Sequence, residues 1–236
     1  MKQKQLSFQT KRGILFLLIV FLIQYLYAQK PDLVLPIIHG LPVQGMATAK
    51  EGTFFASCSN KSIKIWDNKS GQLIRTIPWH QSGTEEELKG KFGFVDIDIS
   101  PDGSKLLTAT DCGANFEDSR PQVSTKVQLW SNMGKLLKTL HTFEEPTCIS
   151  HVEISPDGKL ALAIIGHSIY SPGHFTNTIT YIWDIDTGEE KMRRTGEWGK
   201  FASDKKHLIT RNAEYAQWVD ISTQKVEAAA PVAAAT

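Results

Sequence analysis

The chain has 236 residues, 41% of them hydrophobic and 22% charged, which suits one or two globular domains. Lys plus Arg number 26 and Asp plus Glu 25, so the formal net charge of +1 carries no basic footprint of a nucleic-acid partner. Cys58, Cys112 and Cys148 are odd in number and widely spaced, which argues against a small disulfide framework or a paired zinc site. Buried thiols are the plain reading, and one bridge in an oxidising compartment is the alternative.

Residues 1–28 read as a secretory signal peptide. Lys2, Lys4, Lys11 and Arg12 form a positive n-region, an apolar run follows from Ile14 to Ile23, and Ala28 closes a cleavage site ahead of Gln29. The apolar run is about half of the ~20 residues that span a bilayer, so cleavage is expected over anchoring. The membrane is a partner only if the segment stays uncleaved. Export places the mature chain in the periplasm or outside the cell.

Next comes a candidate strand over Asp32–Ile37. It precedes the first of several repeating units. One recurring string is Ile-Ser-Pro-Asp-Gly, at Ile99–Gly103 and Ile154–Gly158. Alternating residues lie before each copy and a short apolar stretch after it, a hairpin signal around a Pro-Asp-Gly turn. The second recurring unit is a strand ending in Trp. It reads Ser62–Asp67, Lys126–Ser131, Thr180–Asp184 and Ala216–Asp220, which gives Trp66, Trp130, Trp183 and Trp218 one place per unit. Each unit is therefore four strands, a to d, in a meander. In the fourth, strand d is poor. Residues 227–236 are Ala-rich and expected to be disordered, and Asp32–Ile37 is expected to supply the missing strand.

Four-stranded meanders at roughly 40–45 residues, with Trp-Asp closing strand c, resemble WD-repeat β-propeller blades. The resemblance covers residues 29–226 and implies an all-β propeller of four recognisable blades. It gives Trp66, Asp67, Trp130, Trp183, Asp184 and Trp218 structural roles. In that family a Gly-His pair feeds a hydrogen-bond network with a turn Asp. His39, His80 and His141 sit near the expected places, but without the Gly-His order the sequence gives that network no support in any blade. The start Gln29–Pro36, followed by such repeats, also resembles bacterial proteins that join WD repeats to a caspase-like peptidase. His39-Gly40 lies ahead of the blades and no α/β domain follows, so no catalytic residue carries over.

Longer connections fall between particular strands: Asp111–Thr125 and Gly166–Asn177 link b to c, and Trp79–Gly90 links d to a. In a meander, b–c and d–a connections share one rim, so all three inserts share a face. Inserts on one face of a repeat protein mark a binding side, and drift in tolerant loops is the alternative. Phe116, Arg120, Tyr170, Phe175 and Trp79 are the candidate partner-binding residues, since aromatics and Arg dominate protein contacts. Packing onto the loops' own bases is the competing role. His167 with His174, and Glu85–Glu87, lack the further ligands of a metal site. No nucleophile elbow, metalloprotease pair or phosphate-cradling loop is found. The sequence thus points to a non-catalytic scaffold without cofactor or metal that binds another protein. A recognition module of a caspase-like peptidase is the alternative.

Overall fold

In the computed structural model the chain divides into two compact units, Met1–Ile38 and His39–Thr236. The described residues, all in the second, are 39, 41–50, 52–79, 93–110, 125–143, 148–168, 175–212 and 214–232. The signal segment, the strand expected over Asp32–Ile37, Phe116, Arg120 and Tyr170 lie outside them.

The fold is a β-propeller of the WD type with four blades, each a four-stranded antiparallel sheet whose strands follow chain order. Blade one holds β1 (Val43–Thr48), β2 (Phe54–Ser59), β3 (Ser62–Asp67) and β4 (Leu73–Pro78). Blade two holds β5 (Phe94–Ile99), β6 (Lys105–Thr110), β7 (Thr125–Ser131) and β8 (Leu136–Phe143). Blade three holds β9 (Cys148–Ile154), β10 (Leu160–Ser168), β11 (Phe175–Asp184) and β12 (Glu190–Thr195). Blade four holds β13 (Trp198–Phe201), β14 (His207–Arg211), β15 (Tyr215–Asp220) and β16 (Val226–Pro231).

Turn chemistry explains the chain reversals. Each Ser-Pro-Asp-Gly turn is held by its Asp, which accepts the Ser hydroxyl at 2.6 Å in both copies, Ser100 to Asp102 and Ser155 to Asp157. The following Gly takes a left-handed conformation, with φ of 70° at Gly103 and 75° at Gly158. Asp67, Asp184 and Asp220 cap the c–d turns in the same manner, each accepting a backbone N–H three residues on. Hydrogen bonds from the Ser222 hydroxyl and the Thr223 amide hold Asp220 down to about 2.

Three features differ from the sequence expectation. The blade-three connection read as a loop over Gly166–Asn177 is partly strand, with Ser168 paired to Phe175 and His167 to Thr176. The alternating Thr176, Thr178 and Thr180 favour extension. Residues 227–236 are not wholly a disordered tail: β16 pairs with β15, Trp218 opposite Ala228 and Ala216 opposite Ala230. The backbone ladder of an otherwise open edge outweighs alanine's low strand preference, and every residue of β16 is exposed. The place on β15 that the sequence reading gave to Asp32–Ile37 is therefore filled by β16. The third correction is register. Trp66 pairs with Phe55, Trp130 with Leu106 and Trp183 with Ala161, whereas in blade four it is Val219 that takes this place, opposite Leu208. Trp218 points to the other face of its sheet and is half-buried. The extra residue between Trp218 and the turn Asp220 shifts it by one, and period two reverses its side.

Blades pack by one rule. The face bearing the indole, here the leading face, covers the opposite, trailing face of the preceding blade. Leu106 and Trp130 of blade two close over Ala56, Ile63 and Ile65 of blade one. Ala161 and Trp183 of blade three close over Leu107 and Leu129 of blade two. Leu208 and Val219 of blade four close over Leu162 and Ile182 of blade three. Full burial of a Leu- or Ile-sized side chain contributes about 1.5–3 kcal/mol, so these three seams dominate stability.

Candidate interaction surface

The hydrogen-bonded interior comes first, because it decides which polar groups are structural. In blade one Trp66 Nε1 donates to Ser57 Oγ at 2.9 Å, and Ser57 Oγ lies 2.8 Å from His39 Nε2. His39 Nδ1 in turn lies 2.9 Å from Ser59 Oγ, so the ring bridges the two serines. Burial, aided by the charge of Lys64, holds His39 below the usual imidazole range, consistent with a neutral ring. A His-Ser-Trp network is thus present in blade one, built on serines and without the turn Asp that the resemblance implies. Blade two keeps the indole bond, from Trp130 Nε1 to Thr108 Oγ1 at 3.0 Å, while His80 lies outside the described residues. In blade three Ala163 has no hydroxyl to offer. Tyr181 and His141 stack on Trp183 instead, at 5.4 and 5.8 Å between centroids. These histidines and hydroxyls are committed to packing.

A second set of polar residues, absent from the sequence reading, joins the innermost strands. Asp98 Oδ2 accepts the backbone N–H of Ile154 at 2.7 Å, and Asp96 Oδ2 accepts that of Val152 at 2.9 Å. Glu153 Oε2 repeats the pattern toward Phe201 N–H at 3.1 Å. Asp96 also meets His151 Nδ1 at 3.0 Å, a contact that raises the imidazole. Burial pushes Asp98 and Glu153 up, against the opposing hydrogen bonds. Strand a of blades two and three thus carries a carboxylate that caps an N–H of the strand a that follows. The alternation of acidic and apolar residues in Phe94–Ile99 was the available signal.

The aligned a strands fix which connections share a rim. Corresponding residues, Asp98 and Glu153, reach the next strand in the same way, so successive blades run in one direction. The b–c and d–a connections therefore leave from one rim, as the meander requires. Of the expected contact residues, Phe175 starts β11 on this rim. Trp79 does not offer a free surface: its ring meets Phe94 edge-on at 5.1 Å and packs into the seam between blades one and two. The apolar seam between those blades reaches the rim there and takes in the indole.

Blade four presents a set that the sequence reading missed. Trp198 follows the d–a connection and is 45% exposed, and Tyr215 follows the b–c turn and is 43% exposed. Arg211 pairs directly with Trp198 across β13 and β14 and is also exposed. Asn212 Oδ1 accepts the backbone N–H groups of Glu214 and Tyr215 at 2.9 and 2.7 Å, which ties down the start of β15. Short strands without a repeat string around them gave no sequence signal. Elsewhere, Cys58 is a buried thiol pushed up to about 12 by its burial, and Cys148 begins β9 partly buried. His207, Asp220 and Glu227 come together at the c–d end of blade four, where His207 is bonded to Asp204 and Glu227 and raised by them. Among the described residues no helix is long and apolar enough to cross a membrane.

Comparison with known proteins agrees with this architecture. Residues 36–67 match the family model described as "WD domain, G-beta repeat". The matched segment spans His39, Ser57, Ser59 and Trp66, the members of the blade-one network, and ends on Asp67. No curated protein matches the chain. Among solved structures, Kuenenia stuttgartiensis hydrazine synthase is similar over 80% of this chain and 54% of that one, with 20% identity and a TM-score of 0.53. The chain spans about half the length of that structure, and the likeness at this identity is one of fold.

Proposed function

We propose that this chain is an exported, non-catalytic scaffold that binds another protein through the rim carrying the b–c and d–a connections. WD repeats generally mediate protein interactions, which supports the coarser part of this reading. The observation that carries the finer part is that Trp198, Arg211 and Tyr215, all exposed, stand at strand ends of blade four on that rim. Trp, Tyr and Arg are the residues in which interface energy concentrates, because each joins large apolar area to a directional polar group. They sit on strands and a bonded turn, so little order is lost on binding. Phe116, Arg120 and Tyr170, carried by the neighbouring inserts, extend the same surface in this proposal. Export rests on residues 1–28, and the peptidase-linked alternative rests on the Gln29–Pro36 resemblance.

The test is affinity capture from the exporting organism with the mature chain as bait, quantified by mass spectrometry. A specific partner lost with Trp198→Ala plus Tyr215→Ala, in a variant with parental melting temperature, is the expected result. A partner captured equally by that variant and by chains shortened within 112–124 overturns the assignment of the rim.

A further inference from the structure

Three positions recur at the end of each blade where the a–b and c–d turns lie. They are the residue that opens strand b, its partner at the close of strand c, and the extra residue of the bulge near the start of strand d. In blade one these are Phe54, Asp67 and Ile74, in blade two Lys105, Ser131 and Leu137, and in blade three Leu160, Asp184 and Lys191. In blade four they are His207, Asp220 and Glu227. The Asp belongs to the fold, since it caps the c–d turn in blades one, three and four. The His and the Glu do not, because the other blades form the same pairing and the same bulge with different residues there. Of the four blades, blade four alone has a metal-binding side chain at all three positions.

The ligand atoms of these three residues lie within 4.8 Å of one another. Adjacent strands bring them together: His207 pairs directly with Asp220, and the bulge between Val226 and Ala228 sets Glu227 beside them. His207 is held in place from two sides. Its Nδ1 donates to Asp204 Oδ2 at 2.5 Å, and its ring lies against Trp218 with 5.1 Å between centroids. A carboxylate on the far ring nitrogen is how metal-binding imidazoles are aimed, because it fixes the tautomer and makes the near nitrogen a stronger ligand. That near nitrogen, Nε2, faces Glu227 Oε2 at 3.0 Å. The hydrogen bonds to Asp220 from Ser222 and Thr223 all fall on Oδ1, which leaves Oδ2 to serve as a ligand.

We propose that His207 Nε2 and one carboxylate oxygen each from Asp220 and Glu227 hold a divalent cation of the zinc class, and that this cation staples β16 to the rest of blade four. Calcium and magnesium take oxygen ligands, whereas zinc accepts imidazole nitrogen and carboxylate oxygen together. The cation takes the place of the proton on Nε2, which passes to solvent. Three protein ligands leave a fourth position to water. The consequence is mechanical. Every residue of β16 is exposed, and the backbone ladder to β15 holds it. A cation shared by Glu227, His207 and Asp220 ties it to β14 and β15 through side chains as well. The ligands come from three strands without a recognised ligand spacing, which is why the sequence points to no metal. His207 and Arg211 stand at opposite ends of β14, so the site is clear of the rim proposed to bind a partner, and the two readings fail separately.

For the test, the purified protein is freed of metal with EDTA and titrated with zinc chloride in an isothermal calorimeter. The parent should bind zinc, and His207→Ala and Glu227→Ala should each abolish one site or weaken it roughly tenfold or more. Asp204→Asn, which touches no cation, should weaken the same site by about ten- to a hundredfold, as for the loss of a carboxylate behind a ligating imidazole. Glu227 lies on an exposed strand among alanines, so its variant keeps the fold even where His207→Ala does not. Hydrogen exchange reads the staple: zinc should slow exchange of the amides of Val226–Ala230 in the parent and leave them unchanged in Glu227→Ala. A parent that binds no zinc overturns the proposal, and so does a Glu227→Ala chain that binds it as the parent does. Zinc binding that leaves exchange in β16 unaltered overturns the staple.

Discussion

Trp66 donates its indole N–H to Ser57 Oγ at 2.9 Å, and this bond decides how the first blade responds to mutation. Ser57→Ala strands the indole N–H and His39 Nε2 together, both in the blade interior. Leaving a buried donor without an acceptor costs about 1–3 kcal/mol. Urea unfolding of Ser57→Ala should show a loss in that range, and Ser57→Thr should recover most of it by restoring the hydroxyl that Thr108 supplies in blade two.

The three buried indoles and the half-buried one should separate cleanly. Trp130 and Trp183 are 0% and 1% exposed within inter-blade seams. Truncating such a side chain to Ala costs about 3–5 kcal/mol. Trp218→Ala removes a half-buried side chain from the exposed face of blade four and should cost far less. Equal destabilisation by Trp218→Ala and Trp183→Ala would contradict the register assigned to β15.

Blade four also holds two strained turns. In blades one to three the left-handed turn positions belong to glycines, among them Gly103, Gly158, Gly134 and Gly188. In blade four Lys205 has φ of 68° and Gln224 has φ of 59°. A side chain in this conformation costs roughly 1–2 kcal/mol, which glycine avoids. Lys205→Gly and Gln224→Gly should each stabilise the protein, by about 1 kcal/mol after the greater freedom of glycine in the unfolded chain is set against the gain. Differential scanning calorimetry should find both melting temperatures raised, with near-additivity, since the two turns are separate.

These turns show how far the sequence was legible. Ile-Ser-Pro-Asp-Gly and the Trp-terminated strands disclosed the four meanders, because turn glycines and alternating apolar residues are local signals. Blade four lost the glycines, and there the reading failed three ways. The last Trp stands one residue before the place that Val219 fills, the alanines of β16 read as a disordered tail, and Trp198 with Tyr215 carry no repeat signal. Strand β16 is held by the ladder of β15 rather than by its own residues, so its sequence carries little trace. Trp79 was misread for a related reason. A tryptophan beside a polar insert looks exposed until the partner in the next blade, Phe94, is known. The carboxylates of Asp98 and Glu153 were legible as alternation but not as caps, because their partners lie one blade away.

The capped inner strands give a pH dependence. His151 faces Asp96, Asp98 and Glu153, and the hydrogen bond that its ring donates to Asp96 is the main cause that raises its imidazole above the ordinary 6.5. A group whose folded value is raised stabilises the fold fully below its unfolded value and loses that contribution as pH climbs through the folded one. The stabilisation from His151 is thus present in mildly acidic solution and fades above about pH 6.5, through the raised value. Among the described residues His39 and His141 are lowered by burial and act in the opposite sense, and His207 is raised, so the parent profile alone mixes several groups. The difference between the parent and His151→Gln isolates one of them. Denaturant unfolding at steps between pH 5.5 and 8.5 should show His151→Gln less stable than the parent at the acid end, with the gap narrowing as pH rises. Asp96→Asn should flatten the same difference, because it removes the carboxylate that favours the imidazolium. A gap that widens with pH would mean that neutral His151, not its imidazolium, is what the inner strands of blades two and three are built to hold.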